Sequence, residues 1–557
     1  MKPKKGFSIP NTLQTRIVLT VGLAAAGAMS ATAANWTGAT NQDWNTLTNW
    51  DADPNGVNDT VNVAAGNFPI ITATPTFTPV DLLVGSGVGN SGRLDQSAGT
   101  LSTGAGNWMW VGEGGGTGTY NLTGTGSLSA GALNVGAWGN AGATGTANIN
   151  TSGTVDLTAG NGRPFGFGDA SLLVGENGST GTFNLQNGTV NSAFSSRFAQ
   201  GAGSSATLTI SGGSLNTTGE FQFGRSATAT GTQSGGTNSS TSFFVIGRDS
   251  GGIGTYTLSG GTVNAATTSG FTVLGSFSGA QGALDVSGTG TFNSTVGGMI
   301  IGEGGTGILT VSGGGVVNIG TNGYQLGANA SGAGTINLNG GILQGGSVFK
   351  GAGTGTFNSN GGVLQATATS ATFMTGLTAA NVQSGGAVID SNGFAITIGQ
   401  ALLDGGGGGG LTKNGLGTLT LSSAGNTYTG PTLISNGTLA TDLTGSLGTG
   451  NVTVADLAGA SLTLGNGSSI ADTATLFFGD AGTITLNNAS SDTVFGITQI
   501  DDSQSIGAGI YTAAQLNSFF VVSSFTGTGT LTVVPEPATT LLGGLGLLGI
   551  LRRRRTA

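Results

Sequence analysis

The chain has 557 residues, of which 111 are glycine and 7% are charged, and it contains neither cysteine nor histidine. These absences exclude disulfides, thiolate metal sites and the commonest general base and metal ligand in proteins. Eight of the 15 basic residues lie in the terminal segments, against 24 acidic residues in the whole chain. We expect no nucleic-acid partner, because binding phosphates needs a basic face.

Residues 1–33 have the pattern of a secretory signal peptide. Basic residues come first, an apolar run follows at 17–26, and a small-x-small cleavage site rests on Ala31 and Ala33. The pattern predicts export through the Sec machinery. The alternative is a buried N-terminal helix.

Residues 34–81 are predicted to form an N-terminal cap. The segment contains Trp36, Trp44 and Trp50, half of the six tryptophans in the chain. The end of a β-solenoid exposes apolar core and unpaired strand edges, which an aromatic cap would cover. The alternative interpretation is that the three rings stack on sugars.

Residues 82–365 are an array of repeats. The stretch IIGEGGTGILTVSGGGVVN at 300–318 recurs in related form from Trp110, Leu173, Val245 and Val273. Copies follow one another at about 26 residues, which is a spacing typical of solenoid repeats. Counting a degenerate copy near Gly231, the array predicts about ten stacked coils.

Each copy contains short strands with alternating apolar residues. One strand ends in Val-Gly or Ile-Gly, a second begins Gly-Thr, and a third follows a Ser-Gly-Gly turn. Alternation with period 2 predicts strands, and the glycines allow positive φ at the corners. The fold class is therefore all-β, a right-handed parallel β-helix with one coil per copy. The residues expected to point inward are Tyr120, Leu122, Ala147, Ile149, Phe183, Leu185, Leu208, Ile210, Tyr256, Leu258, Val311, Ile336 and Leu338.

Outward-facing asparagines recur in the second strand. Asn121, Asn184 and Asn337 share one register, between two inward residues. They can form an asparagine ladder along one face of the solenoid, or they can be separate solvated side chains.

A glutamate recurs in the turn after the first strand, as Glu113, Glu176 and Glu303 in non-adjacent copies. We expect these carboxylates to be solvated. The alternative is a weak calcium contact, although the GGxGxD calcium repeat is absent from the sequence.

Residues 366–404 are predicted to continue the solenoid, and residues 405–532 to form a further β region. This region starts with the glycine run 405–410, which is a flexible break by composition. It continues with LTKNGLGTLTLSSAGNTYTGPTLISNGTL, in which apolar residues alternate again. A short helix is expected at 513–518.

Residues 533–557 form a three-part tail. Pro535, Glu536 and Pro537 come first, an apolar stretch follows at 538–551, and a row of arginines completes the tail: Arg552, Arg553, Arg554 and Arg555. Fourteen helical residues span about 21 Å, less than the roughly 30 Å hydrocarbon core of a membrane. The tail therefore predicts a short hydrophobic helix that anchors the chain transiently in the inner membrane, with the arginines as its stop. The alternative is a packed terminal helix in a soluble protein.

Three parts of the chain resemble known families. The tail VPEPATTLLGGLGLLGILRRRR resembles a PEP-CTERM sorting signal, which implies processing at Pro535, Glu536 and Pro537 by exosortase, a membrane transpeptidase. The stretch LTKNGLGTLTLSSAGNTYTGPTLISNGTL resembles the autotransporter-associated β-strand repeat. The repeats near Ile246, Ile301 and Leu326 resemble the repeat shared by type V secretion passengers and PEP-CTERM proteins.

These features predict an exported, exosortase-sorted structural protein of the cell surface or extracellular matrix, with exopolysaccharide of a biofilm as a further partner. A glycan-binding adhesin is the alternative. A carbohydrate-active enzyme is least expected, because the basic residues are scattered at one or none per copy and acid–base catalysis needs a cluster. We therefore expect no catalytic residue, no cofactor and no metal ion.

Overall fold

Parallel pairing between successive turns of the chain builds most of the structure. The structure is a computed structural model that describes residues 33–138, 142–159, 170–489 and 491–534. Within these ranges the turns stack into a parallel β-solenoid of about 18 turns. The predicted all-β parallel solenoid is confirmed, and its right-handedness stays a prediction.

Three rows of strands run along the solenoid, and we number them sheets 1, 2 and 3. Long strands that pass from one sheet into the next are Thr100–Glu113, Ser127–Ala137, Thr144–Leu157, Thr180–Ser192, Thr306–Asn318 and Ala333–Gly345. Sheet 1 also contains Ala34–Asn35, Asp59–Val61, Leu82–Ser86, Ala170–Glu176, Ser195–Gln200, Phe221–Phe223, Phe244–Ile246, Thr272–Leu274, Met299–Ile301, Gly323–Leu326, Ser347–Lys350, Ser370–Thr375, Ala395–Ile398, Thr418–Leu421, Gly437–Thr441, Ala460–Leu464, Thr483–Leu486 and Phe525–Gly527.

Sheets 2 and 3 complete most turns; the last described strand of sheet 2 is Leu402–Asp404, and the turns after it have strands of sheets 1 and 3. Sheet 2 also contains Ile70–Ile71, Ser91–Gln96, Thr117–Gly124, Ser205–Ile210, Thr228–Gln233, Ile253–Leu258, Gln281–Val286, Thr354–Ser359, Ala379–Val382 and Leu402–Asp404. Sheet 3 also contains Ser214–Thr217, Thr237–Ser240, Thr262–Asn264, Thr291–Asn293, Val363–Ala366, Ala387–Asp390, Leu411–Asn414, Thr432–Ile434, Val452–Val454, Thr475–Phe478 and Gly496–Gln499. The prediction of about ten coils for 82–365 missed one turn. This turn contains Ser91–Gln96, and its Gly92 lies in register with Gly118 of the next turn.

The core lies between the three sheets, and every residue predicted to point inward is buried there. Several of its polar groups are hydrogen-bonded to each other, as buried groups generally are. The hydroxyl of Tyr120 donates to Oε1 of Gln96 at 2.7 Å, and that of Tyr256 donates to Oε1 of Gln233 at 2.6 Å. Alternate side chains of each strand thus join a continuous core, so a turn is stable only against its neighbours.

Glycine is required where sheet 1 turns into sheet 2. Gly302 has φ +71°, and a Cβ there would lie 2.2 Å from the carbonyl oxygen of Ala333 in the next turn. Both the left-handed backbone and the close approach of the two turns exclude a side chain. In the degenerate copy Gly231 occupies the register of Tyr256, and the ring of Phe223 fills the space.

The C-terminal end of the solenoid is closed by a small mixed sheet and a helix. Asp492–Val494 pairs in parallel with Thr530–Val533, which pairs antiparallel with Gly509–Thr512. The helix, Ala513–Phe520, begins with a capping box between Thr512 and Gln515. The predicted short helix is confirmed and ends at Phe520, whose ring packs 5.1 Å from that of Phe478. A short 3-10 helix, Leu47–Asn49, lies at the other end.

The signal segment up to residue 32 and the tail from residue 535 lie outside the described residues, so the predicted hydrophobic helix at 538–551 stays a prediction. Across the part of the chain that the structure describes, no helix is both long and apolar enough to cross a membrane.

A buried acid near the N-terminal end makes stability depend on pH. Asp59 is fully buried and neither carboxylate oxygen has a hydrogen-bond partner. Burial raises the pKa of Asp59 to about 8, and the nearby Asp53 adds to this shift. The folded state therefore favours the neutral acid, so stability is full below the unfolded pKa of about 4 and is lost as the pH rises towards 8.

We expect Asp59→Asn to remove this loss. The parent should lose up to about 1.4 kcal/mol of unfolding free energy per pH unit from this group between pH 5 and pH 7, the linkage slope for one proton. Urea unfolding at each pH measures the slope, and the exposed Asp502 provides the control Asp502→Asn, which should keep it. An equal slope in parent and Asp59→Asn would contradict the prediction.

Candidate functional site

The predicted tryptophan cluster is buried at the N-terminal end. The rings of Trp36 and Trp44 each pack against Trp50 in edge-to-face contacts, at 5.3 and 4.9 Å between centroids, and Phe77 stacks on Trp44 at 5.6 Å. Nε1 of Trp36 donates to the carbonyl oxygen of Asn67 at 2.6 Å. The sugar-stacking alternative is wrong for these rings because they are buried against each other, which is the arrangement that an aromatic cap requires.

The asparagine ladder is confirmed. Nδ2 of Asn121 donates to Oδ1 of Asp95 at 2.7 Å, Asn148 donates to Asn121 at 2.8 Å, and Asn184 donates to Asn148 at 2.8 Å. Asn337 starts a second ladder through Asn358 to Asn381. Each amide thus joins two turns from the outside, in addition to the backbone pairing.

Sheet 3 has ladders of the same kind. Asn216 donates to Asn191, which donates to Asp156. Further along, Gln344 donates to Gln365 and Gln365 to Asp390, so this ladder runs in the opposite direction. The outer faces of the solenoid therefore present regular rows of amides at the spacing of successive turns.

The turn glutamates bind the preceding turn instead of being merely solvated, so the first expectation is corrected. Oε2 of Glu113 accepts from the hydroxyl of Ser86, and Oε2 of Glu303 accepts from that of Ser276, each at 2.6 Å. Glu176 is buried and accepts from the backbone N–H of Trp138 at 3.3 Å. Among the described residues no three acidic side chains form a group that could hold a metal ion.

We expect Glu303→Ala to lower the unfolding free energy by roughly 1.5 kcal/mol, the contribution of a hydrogen bond to a charged group. Glu303→Gln keeps an acceptor oxygen for the hydroxyl of Ser276 and should lose less than half as much. Denaturant titration of both variants tests this result. Equal losses in the two variants would show that the hydroxyl contact contributes little.

A lysine is buried in the segment that starts at residue 411. Nζ of Lys413 donates to the carbonyl oxygens of Asn414 at 2.7 Å, Gly415 at 2.6 Å and Asn436 at 3.1 Å. Burial lowers the pKa of Lys413 to about 8, and the charge of Asp390 opposes this shift. The ammonium group thus satisfies the carbonyls of its own Asn-Gly turn and those of the next, which explains a lysine in a core-facing register.

The stacking of turns also brings together a charged cluster that the sequence analysis did not predict. Glu220 accepts from both Gln222 and Arg248, and Nη1 of Arg225 donates to Oε1 of Gln222 at 3.0 Å. Nε of Arg225 donates to Asp249 at 3.2 Å, and Asp249 lies 3.7 Å from Nε of Arg248, which closes a ring. Burial lowers the pKa of the Arg225 guanidinium, and the carboxylate of Asp249 opposes this shift.

We expected the basic residues to be scattered, but three of them lie close together in the folded chain. Arg197, Arg225 and Arg248 lie one to a turn, as predicted, but the turns bring them side by side. An alignment of the strands of sheet 1 could have revealed this cluster. Successive turns place Leu173, Arg197, Gln222 and Val245 at one register, so two polar residues stand between two apolar ones.

The remaining tryptophans form a second cluster that the sequence analysis also missed. The ring of Trp110 contacts those of Trp108 and Trp138 edge-to-face, at 5.8 and 5.6 Å between centroids. Trp110 is buried on the outer face of sheet 1 beside Leu173, whereas Trp138 is exposed. Six tryptophans thus fall into two groups, one inside the solenoid and one outside.

The predicted processing residues lie at the ends of the chain. Ala31, Pro535, Glu536 and Pro537 are outside the described residues, as are Arg552, Arg553, Arg554 and Arg555, and Ala33 is exposed at the start of the described chain. Their assigned roles stay predictions.

Comparison with protein families gives two matches. Residues 411–440 match the passenger-associated-transport-repeat, and residues 533–555 match the PEP-CTERM protein-sorting motif. The resemblances stated for these two segments are therefore confirmed, and the one stated for the repeats near Ile246, Ile301 and Leu326 stays a prediction. No curated protein and no solved structure matches the chain. The sorting motif implies an exported, cell-surface protein that exosortase processes, and Lys413 lies within the matched repeat.

Proposed function

We propose that this protein is a structural rod of the bacterial cell surface or extracellular matrix, presented there after exosortase has processed its tail. The observation that carries the proposal is the sorting motif at 533–555 on a chain that otherwise forms one long solenoid. Sorting would release a rod whose length is set by the number of its turns.

The surface of the rod supports a structural role in a hydrated matrix. Asparagine ladders run along parts of the outer faces, while most of the large apolar residues lie in the core. An extended amide surface can contact exopolysaccharide at many weak points, and many weak contacts along one rod add up by multivalency.

We further propose that the protein has no catalytic activity. In the charged cluster the carboxylates of Glu220 and Asp249 each accept a hydrogen bond from an arginine, which supports a structural role for these carboxylates. Incubation of the purified protein with uronate and neutral polysaccharides tests this, and release of any oligosaccharide would contradict it.

Deletion of the gene in the native cells tests the structural role. We expect cell aggregates or surface films to lose cohesion, and the parent gene to restore it. A variant that is exported but not processed at the tail should not restore it, because the rod stays at the inner membrane. Unchanged cohesion after deletion, with the parent protein present in the matrix fraction, would overturn the proposal.

A further inference from the structure

A groove of about 390 Å³ lies on the outer face of sheet 1, beside the charged cluster. Its walls include the ring of Phe194, the side chains of Arg197, Glu220 and Gln222, and that of Arg248. This volume is in the range of sites that hold small ligands. None of the residues that line the groove belongs to the sorting motif or to the asparagine ladders, so neither of these explains it.

The groove interrupts the apolar pattern of sheet 1. At the same register the preceding turn has Leu173 and the following turns have Val245 and Val273, all buried. Arg197 and Gln222 occupy this register in the two turns between, and they are only 3% and 2% exposed. Burying a guanidinium and an amide where neighbouring turns use aliphatic side chains is unfavourable unless polar contacts compensate.

The polar groups that face the groove are held in place. The hydrogen bonds from Arg248 through Glu220, Gln222 and Arg225 to Asp249, together with the ion pair between Asp249 and Arg248, form a ring that joins two successive turns. Each member is therefore oriented before any ligand arrives, which lowers the conformational entropy that binding must overcome.

An aromatic ring stands at the rim of the same groove. The side chain of Phe194 is 41% exposed, while its backbone is fixed by two hydrogen bonds. Its N–H donates to the hydroxyl of Ser171 at 3.0 Å, and its carbonyl accepts from the hydroxyl of Ser192 at 3.1 Å. An exposed ring on a fixed backbone is a flat apolar surface that is ready to stack.

The turn that contains Phe194 and Arg197 also has a strained backbone at its corner. Ala199 has φ +57°, at the corner where the preceding turn has Gly175 with φ +72°. A left-handed alanine is unfavourable because its Cβ lies too close to the following carbonyl oxygen, and such strain concentrates at binding sites.

We infer that this groove binds a monosaccharide unit of a neutral polysaccharide, with one sugar face stacked on Phe194 and adjacent hydroxyls bound by Arg197, Glu220 and Arg248. Sugar rings combine an apolar face of C–H groups with paired hydroxyls that both donate and accept. The groove supplies matching groups, since guanidinium and amide donate while carboxylate and amide oxygens accept.

Charge decides between neutral and acidic sugars. Glu220 lies in the groove wall and neutralises Arg248, with which it pairs, and the whole chain has a formal net charge of −9. The negative charges of an acidic polymer would be repelled by this carboxylate and by the net negative charge of the whole rod. A hydroxyl-rich neutral chain avoids both. The inference deepens the adhesin alternative and does not depend on the structural role or on processing of the tail.

Titration calorimetry with the protein purified from its native cells tests the inference, with dextran as the neutral probe and polygalacturonate as the acidic one. We expect dextran to bind and polygalacturonate to bind at least tenfold more weakly. Phe194→Ala and Arg248→Gln should each weaken dextran binding at least tenfold, while Phe194→Tyr, which keeps the ring, should stay within threefold of the parent.

Arg93→Gln is the matched control, because Arg93 forms the same kind of arginine–carboxylate pair with Asp95 outside the groove. It should leave binding unchanged. Phe194 is exposed, so Phe194→Ala should keep the parent's melting temperature and report on binding alone. No binding of dextran, equal binding by parent and Phe194→Ala, or tighter binding of polygalacturonate would each overturn the inference, whereas failure of sorting would leave it untouched.

Discussion

Replacing Leu338 by aspartate is expected to unfold the turns around it. Leu338 is buried in the core of sheet 2, where it lies in register with Val311 of the preceding turn and Ser359 of the following one. The substitution removes a large aliphatic group and buries a carboxylate without a partner, so we expect a loss of roughly 4 kcal/mol or more. Circular dichroism during thermal unfolding and limited proteolysis measure the loss.

The neighbouring residue provides a matched control with the same added charge. Asn337 points outward at the foot of a ladder, where it accepts a hydrogen bond from Asn358. Asp95 occupies the same position at the foot of the first ladder, so Asn337→Asp should keep its acceptor role and change stability by less than about 1 kcal/mol. If both variants melted alike, the assignment of inside and outside in this turn would be wrong.

Because each turn is stable only against its neighbours, damage at Leu338 should spread along the array. Proteolysis should therefore cut first in the turns next to residue 338 and later near the two ends. Cleavage confined to the termini in Leu338→Asp would mean that the turns unfold independently.

Replacing Pro535, Glu536 and Pro537 together by alanine is expected to trap the protein unprocessed at the inner membrane. These residues form the first part of the matched sorting motif. Proline fixes φ and disfavours helix in the residue before it, so the motif would keep the processing site extended outside the bilayer. Alanines allow the apolar helix to extend through the site. Immunoblots of membrane and extracellular fractions should show near-complete loss of the processed form.

Two controls accompany this experiment. Replacing the neighbouring Thr539 and Thr540 by alanine should leave processing intact, because these residues lie beyond the Pro-Glu-Pro motif. Removing Arg552 to Arg555 should weaken retention before processing, since the arginines act as the stop for the apolar stretch. Processing and release of the triple-alanine variant at the parent's level would show that the tail is merely an anchor.

Much of the fold follows from the sequence by itself. Apolar residues alternate with period 2 within one strand, and this pattern predicts that Leu258 points inward. The repeat itself recurs about every 26 residues, which predicts that the copies stack. Once copies stack in register, like residues of successive turns must meet, which is why the ladder from Asn121 was predictable. The sorting tail could be predicted for a different reason. An apolar stretch followed by arginines interacts with a membrane as a linear segment, so its recognition does not depend on tertiary contacts.

Residue-to-residue contacts between turns of unequal length could be decided only by the tertiary structure. Insertions and deletions change the spacing from turn to turn, so the sequence does not show that Arg197, Gln222 and Arg248 lie side by side. The burial of Trp44 also depends on how the end of the solenoid folds back on itself, and no periodic pattern encodes that. The sequence thus determined the repeated part of this protein because every turn obeys the same local rule. The charged groove, the seryl partners of the turn glutamates and the closed aromatic end arise where turns differ, and there the physical environment is set by neighbours that are distant along the chain.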